Sequence, residues 1–237
     1  MSKKSDKFRH ELKFIISKTQ KVIIENSLQG LMHKDAHLEK DSYNIRSIYF
    51  DDYNHSCYYE NENGVDPREK FRIRIYDCNN KFIRLELKRK EKGMTQKLQC
   101  VLTEAQLESI LKGEMLQDFN ALPPLLKKFE LQRRTKLLAP DIIVDYDRVP
   151  YVYELGNVRI TFDMNISSAN NFEGFFDKDL AKRPILQSDM LVLEVKYDEL
   201  LPSYIENVVK SVTTHRTSFS KYYLCKKYSP YGGGFGI

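Results

Sequence analysis

Several familiar signatures are missing from this chain, and each absence removes a class of function. Its four cysteines (57, 78, 100 and 225) form no CxxC pair and fall in unrelated segments. A disulfide framework or zinc knuckle is therefore not expected, and a reducing compartment fits better. No apolar core follows the charged segment Met1–His10, so no signal peptide is read there. The longest apolar stretches, Leu137–Val144 and Met190–Val195, are too short and too interrupted to cross a bilayer. A cytoplasmic protein with no membrane insertion by this chain is the expectation. P-loop, GxGxxG, GxSxG and HExxH motifs are all absent. The His33/His37 pair lacks a nearby third ligand, and the five histidines read as surface or local hydrogen-bonding groups. A net charge of only +5, from 38 basic and 33 acidic residues, argues against a nucleic-acid partner.

What is present is period-two alternation. No repeat or long linker divides the 237 residues, so one domain over 1–230 is expected, with a flexible Gly-rich tail at 231–237. Phe71-Arg72-Ile73-Arg74-Ile75 puts two arginines on one face and apolar residues on the other. The run from Ile83 to Lys90 does the same with Arg84, Glu86, Lys88 and Lys90. Val158–Asp163, Leu191–Tyr197 and Phe8–Phe14 follow suit, placing Arg159, then Glu194 with Lys196, then Arg9, Glu11 and Lys13 on polar faces. Further strands are expected near 43–51, 95–102, 132–138 and 142–149. Helices are expected at Lys18–His33 behind the cap Ser17, at Asn54–Asn63, and from Thr103 to about residue 112. Asp118–Phe129 reads as short pieces broken by Pro123-Pro124, and Pro202–Ser211 and Ser218–Tyr228 read as closing helices. Asp51-Asp52 fits a cap ahead of the second helix better than a metal pair.

Any one alternating strand is explained by a core face and a wet face. Five strands that repeat Arg, Lys and Glu, with little Ser, Asn or Gln, ask for more. If the strands close into a barrel with the charged faces inward, the empty lumen is costly, and a polyanion neutralises it. Phosphate oxygens take Arg as a bidentate partner and Lys as a point charge. Lys13, Arg72, Arg74, Arg84, Lys88, Lys90, Arg159 and Lys196 supply both. Phosphoryl transfer also calls for a divalent cation on hard oxygen ligands, Mg²⁺ or Mn²⁺. Glu194 leads the candidates, with Glu86 and Glu11 behind it; those two serve equally well as counter-charges. Tyr49 and Tyr146 could stack on a base, although nothing singles them out.

The ordered series Arg9–Phe14, Ser47–Asp51, Phe71–Arg74, Leu85–Lys88, Asp145–Arg148, Val158–Asp163, Leu193–Tyr197 and Ser220–Tyr222 resembles the triphosphate tunnel metalloenzyme (CYTH) superfamily. Its details are similar to the VTC branch, the polyphosphate polymerase domain of vacuolar transporter chaperones. The resemblance implies an α+β fold: an eight-stranded antiparallel β-tunnel with flanking helices. It implies transfer of the γ-phosphate of ATP to inorganic polyphosphate or triphosphate, with Mn²⁺ or Mg²⁺. It assigns Lys13, Arg72, Arg74, Lys88, Lys97 and Arg159 to phosphates, Glu194 to the metal, and Ser220 and Lys221 to the phosphate chain.

Two departures stand out. Arg9 replaces the first Glu of the ExExK strand of hydrolytic members, which favours chain synthesis over cleavage. Ser218 stands where eukaryotic members carry a basic residue. The SPX domain and membrane helices of eukaryotic complexes are not seen, which leaves room for a separate membrane partner. A tri- or polyphosphatase and a non-catalytic polyphosphate-binding module stay open as alternatives.

Overall fold

The computed structural model describes residues 7–35, 40–212, 217 and 220–229. The expected tail, Ser218, His37 and His215 lie outside them. The strands are β1 (His10–Ser17), β2 (His33–Lys34), β3 (Tyr43–Asp51), β4 (Arg68–Tyr76), β5 (Asn79–Glu91), β6 (Met94–Leu102), β7 (Ala139–Tyr153), β8 (Val158–Ala169), β9 (Arg183–Pro184) and β10 (Met190–Tyr197). The helices are α1 (Lys18–Leu28), α2 (Ser56–Glu62), α3 (Glu104–Leu111), α4 (Pro124–Lys136), α5 (Ser203–Val212) and α6 (Lys221–Lys227).

Eight strands form one antiparallel sheet in the order β1-β10-β8-β7-β3-β4-β5-β6, with β2 on β7 and β9 on β8. The sheet curls until its edges meet: Arg9 and Thr95 exchange two backbone hydrogen bonds of 2.9 Å between the start of β1 and β6. The inner face is charged because the outer face takes the apolar residues. Phe71, Ile73 and Ile75 of β4 and Leu85 and Leu87 of β5 pack outward with Leu107, Leu126 and Phe129 of α3 and α4. Phe14, Ile160 and Leu193 pack outward with Ile24 and Leu28 of α1 and Ile205 of α5. Burying an aliphatic or aromatic side chain in this way contributes about 1.5–3 kcal/mol.

A third cluster lies on the inner face and fills part of the barrel. Ile45, Ile142, Val144 and Val192 receive Tyr222 and Cys225 of α6 there. Tyr222 donates its hydroxyl proton to Asp51 with the Asp141 carboxylate 3.0 Å from the same oxygen, and Lys226 pairs with Asp141, so α6 is tied inside the barrel by polar contacts as well.

Local signals explain most boundaries. Ser17 and Thr103 form capping boxes with Gln20 and Gln106 at α1 and α3. Asp52 accepts from the Asn54 and Ser56 amides and Asp51 from those of Cys57 and Tyr58, which is the expected capping role. The strand expected at 132–138 is a correction: those residues to Lys136 belong to α4. Pro124 starts that helix instead of breaking it, since the first turn needs no amide donor from it. Leu126, Phe129 and Glu130 then line one buried stripe, and Arg133 and Arg134 reach Glu130 one turn back.

Candidate functional site in the barrel interior

Inside the sheet, beside α6, lies a cavity of about 350 Å³ whose walls carry ten Lys or Arg residues and only two carboxylates. Strand parity puts them there. Arg72 and Arg74 of β4 face Glu86 and Arg84 of β5 across the ladder, and Lys13 of β1 faces Glu194 of β10. Of the residues expected from the sequence, Lys13, Arg72, Arg74, Lys88, Lys90 and Lys196 line this cavity with Glu11 and Glu194. Ser220 and Lys221 reach it from α6 and the residue before it.

Five expected residues stand elsewhere. Arg9 is spent on the seam, bound to Asp198 at 2.9 Å. Arg159 turns to Asp35 at 3.0 Å and to the Tyr43 hydroxyl at 3.3 Å. Arg84 lies over the Tyr76 ring, 5.7 Å from its centre. Lys97 binds Glu86 at 3.1 Å and Gln99 at 3.0 Å. Glu86 is fully buried and does not line the cavity; Arg72 grips it with Nε at 2.7 Å and Nη2 at 2.6 Å, and Arg74 stands 3.8 Å away. Its surroundings are those of a counter-charge.

Three cavity cations were missed. Arg148 follows a register shift between Asp145 and Asp147 in β7, and this bulge hides its inward parity from simple alternation. Arg68 and Lys70 fall on the same face as Arg72, and β4 begins at Arg68, three residues before the alternation read from Phe71. Extending that period backward would have found them.

The cations are held ready by the carboxylates. Arg148 forks onto Asp163 at 2.6 and 2.8 Å, and Lys221 pairs with the same carboxylate. Glu11 holds Lys13 at 2.6 Å and Lys88 at 2.8 Å. Arg72 donates to the Tyr49 hydroxyl at 2.8 Å, and Arg74 to Ser47 at 3.1 Å and Tyr146 at 3.2 Å. Tyr49 and Tyr146 are thereby occupied as positioning groups; Tyr49 stacks on Tyr222 at 5.2 Å.

Burial opposes every charge here, and the neighbours decide the outcome. For Glu11, burial pushes the carboxyl up, but Lys13 and Lys88 override it and hold it well below the usual carboxylate range. Glu194 is held low against burial by Lys196 and Lys221, and Glu86 by Arg72 and Arg74. Lys221 is raised despite burial by Asp163 and Glu194. For Lys70, Lys88 and Lys97 burial wins: it lowers the Lys88 and Lys97 ammonium groups despite Glu11 and Glu86, and, reinforced by Arg68 and Lys13 and only partly offset by Cys57, depresses that of Lys70 to about 7.

Among the described residues no three His, Cys, Asp or Glu side chains gather into a ready-made metal cage. The donors still fit a hard cation that brings its own phosphate ligands, which needs only one or two protein carboxylates. Glu11 and Glu194 face the same cavity and feel each other's charge. Glu194 pairs through Oε1 with the Lys196 ammonium at 2.5 Å, and Lys221 stands 3.9 Å from Oε2.

An inverted antiparallel sheet, apolar outside and lined with preset guanidinium and ammonium groups inside, defines a tunnel-type anion-binding protein. The chain belongs to the VTC domain family, whose model matches residues 8–228. That membership ties the cavity to polyphosphate-related function. The fold is shared with a Bacillus halodurans protein provisionally assigned as an adenylate cyclase, at 12% identity, TM-score 0.51, covering 88% of this chain and 89% of that one. A Pyrococcus horikoshii protein aligns at 15% identity and TM-score 0.48, covering 92% of this chain and 98% of its own. No curated protein matches the sequence. No helix among the described residues is long and apolar enough to cross a membrane.

Proposed function

We propose that the protein is a polyphosphate polymerase that transfers the γ-phosphate of ATP to a growing inorganic polyphosphate chain inside the barrel. The observation that carries this reading is the excess of ten basic over two acidic residues on one enclosed wall. Such a wall suits a ligand with many negative charges in a row better than a single phosphate. In-line phosphoryl transfer needs no side-chain nucleophile; positioning and charge neutralisation supply the catalysis. Arg72, Arg74 and Arg148 would grip the reacting phosphates as forks already aimed by Glu86 and Asp163. Lys13, Lys88, Lys196 and Lys221 would spread positive charge along the chain, and Ser220 would donate to it. Lys90 would extend this basic wall towards the Arg9–Thr95 seam.

Mn²⁺ or Mg²⁺, held by Glu194 and Glu11, would neutralise the non-bridging oxygens where charge builds. Arg9 lends weight to synthesis over cleavage: it leaves β1 one carboxylate short of the ExExK pattern, so fewer groups could activate a water. In this reading the partners are ATP and inorganic polyphosphate or triphosphate, in the cytoplasm, with room for a separate membrane partner.

Incubation with ATP and Mn²⁺, followed by gel electrophoresis, tests the assignment. A ladder of lengthening chains is expected. Orthophosphate as the sole product would instead establish the phosphatase of the same fold, and no turnover at all would leave a binding module.

A further inference from the structure

The barrel is closed unevenly. β10 follows β1 from His10 to Ser17, and β5 follows β6 from Met94 to Leu102. Between β1 and β6, by contrast, Arg9 and Thr95 are the one bridged pair among the described residues. The β5–β6 turn explains why the join is so short. Antiparallel pairing past Arg9 calls for residues before Thr95, and there the chain turns back at Lys92 and Gly93, both at positive φ. β1 therefore outruns the hairpin, and further along its edge the Lys13 carbonyl accepts from the Thr217 amide at 2.8 Å instead. In the other direction, period two turns the backbone groups of Gln99 and Val101 to the same edge as those of Thr95. They meet no backbone partner there among the described residues, and Val101 is 64% exposed.

One side-chain latch crosses the same join. Both oxygens of Glu11 on β1 accept from the Lys88 ammonium on β5, at 2.8 and 2.9 Å. Among the described residues no other ion pair links β1 to the β5–β6 hairpin. The same carboxylate holds Lys13 at 2.6 Å. Both ammonium groups line the cavity, so an incoming phosphate competes with Glu11 for them. Two backbone bonds and a latch that the ligand itself draws on make this the join that yields first, while the long ladders on either side hold. End-on entry is narrowed by α6, whose Tyr222 and Cys225 pack against Ile142, Val144 and Val192 inside the barrel.

We propose that the join between β1 and β6 is a side door, through which an internal stretch of an inorganic polyphosphate chain enters the barrel without threading from an end. The proposal rests on the reading of the cavity as a phosphate-chain site and adds that chains blocked at both ends are ligands. As the chain approaches, its phosphates draw Lys13 and Lys88 away from Glu11, and Arg9 parts from Thr95. Once the chain is inside, a phosphate between Lys13 of β1 and Lys88 of β5 replaces Glu11 as the latch and draws the two edges together.

Arg9→Cys combined with Thr95→Cys staples the door. Opposed residues of a hydrogen-bonded antiparallel pair have Cα atoms about 5.5 Å apart, within disulfide reach. Peptide mapping confirms the bond, and reduction frees the door in the same molecule. The probes, read by calorimetric titration, are tripolyphosphate and a long-chain polyphosphate with biotin and monovalent streptavidin capping both ends. The reduced protein should bind both. Oxidation should abolish binding of the capped chain and change tripolyphosphate affinity less than about threefold. Capped-chain binding that survives oxidation would overturn the proposal and leave the phosphate-chain reading standing. So would a reduced protein that binds tripolyphosphate but never the capped chain. A wild type that binds neither tripolyphosphate nor uncapped long-chain polyphosphate would bring down both. Hydrogen exchange on the ligand-free wild type decides the case where the staple weakens both probes alike. The Arg9 and Thr95 amides should exchange at least about tenfold faster than those of Leu12 and Leu98 in the flanking ladders. Equal protection would overturn the proposal whatever the staple does.

Discussion

Replacing Glu86 by Gln keeps the shape of the side chain and removes one buried negative charge. Glu86 is fully buried and accepts from Arg72 at 2.7 Å and from Lys97 at 3.1 Å, with Arg74 at 3.8 Å. The amide can accept one of these bonds, but three cations then share a site with no counter-charge. Breaking a buried pair from one side costs about 3–5 kcal/mol. For a chain of this length the unfolding entropy is about 0.5 kcal/mol per degree, so Tm should fall by about 6–10 °C. Thermal unfolding followed by circular dichroism, with and without EDTA, reads this directly. A counter-charge role for Glu86 predicts the same drop in both buffers, whereas a metal-ligand role predicts a drop only where divalent metal is present. Tripolyphosphate should narrow the gap, since an anion near Arg72 and Arg74 restores the missing charge. An unchanged Tm, or a loss seen only with divalent metal present, would refute this reasoning.

Other consequences can be measured as readily. Lys70 titrates near 7 in the folded chain against about 10.4 unfolded, so the unfolded state binds more protons between those values and stability rises with pH there. Lys88 and Lys97 are depressed by burial in the same direction. The ligand-free protein should therefore gain Tm between about pH 6.5 and about pH 9, and a steady fall across that window would contradict the uncompensated lumen. Tyr222→Phe removes the hydroxyl shared by Asp51 and Asp141 and should cost about 1–3 kcal/mol in urea unfolding. A cost within the noise would mean that this hydroxyl adds nothing to packing and to the Lys221–Asp163 and Lys226–Asp141 pairs in holding α6. Arg148→Lys keeps the charge but loses the fork on Asp163, and should weaken tripolyphosphate binding about tenfold with little change in Tm. Equal affinity would remove Arg148 from the site.

The barrel was legible because its strands repeat one rule over long stretches. Arg72 and Arg74 alternate with Phe71, Ile73 and Ile75, and Glu194 and Lys196 with Leu193 and Val195; period two then fixes which residues share the inner face. What alternation cannot carry is which inner residues meet. Glu86 and Glu194 look alike in sequence, yet cross-strand register seats Glu86 between Arg72 and Gln99, where Lys97 reaches it diagonally, and turns Glu194 to the cavity. Arg159 and Arg84 lie on the right strands but are taken up by Asp35 and by the Tyr76 ring. Arg148 was hidden by a bulge, and Lys70 by a strand that starts earlier than its apolar residues announce. The misread segment at 132–138 shows the opposite failure. There, a weakly alternating stretch is claimed by a helix that begins at Pro124 and pins Arg133 and Arg134 to Glu130.

A crystal structure of the protein with tripolyphosphate tests the central claim most directly. Phosphate groups should lie in file inside the barrel, within hydrogen-bond reach of Arg72, Arg74, Arg148 and Lys13. Tripolyphosphate found only on the outer surface, with the barrel interior left to water, would contradict the account.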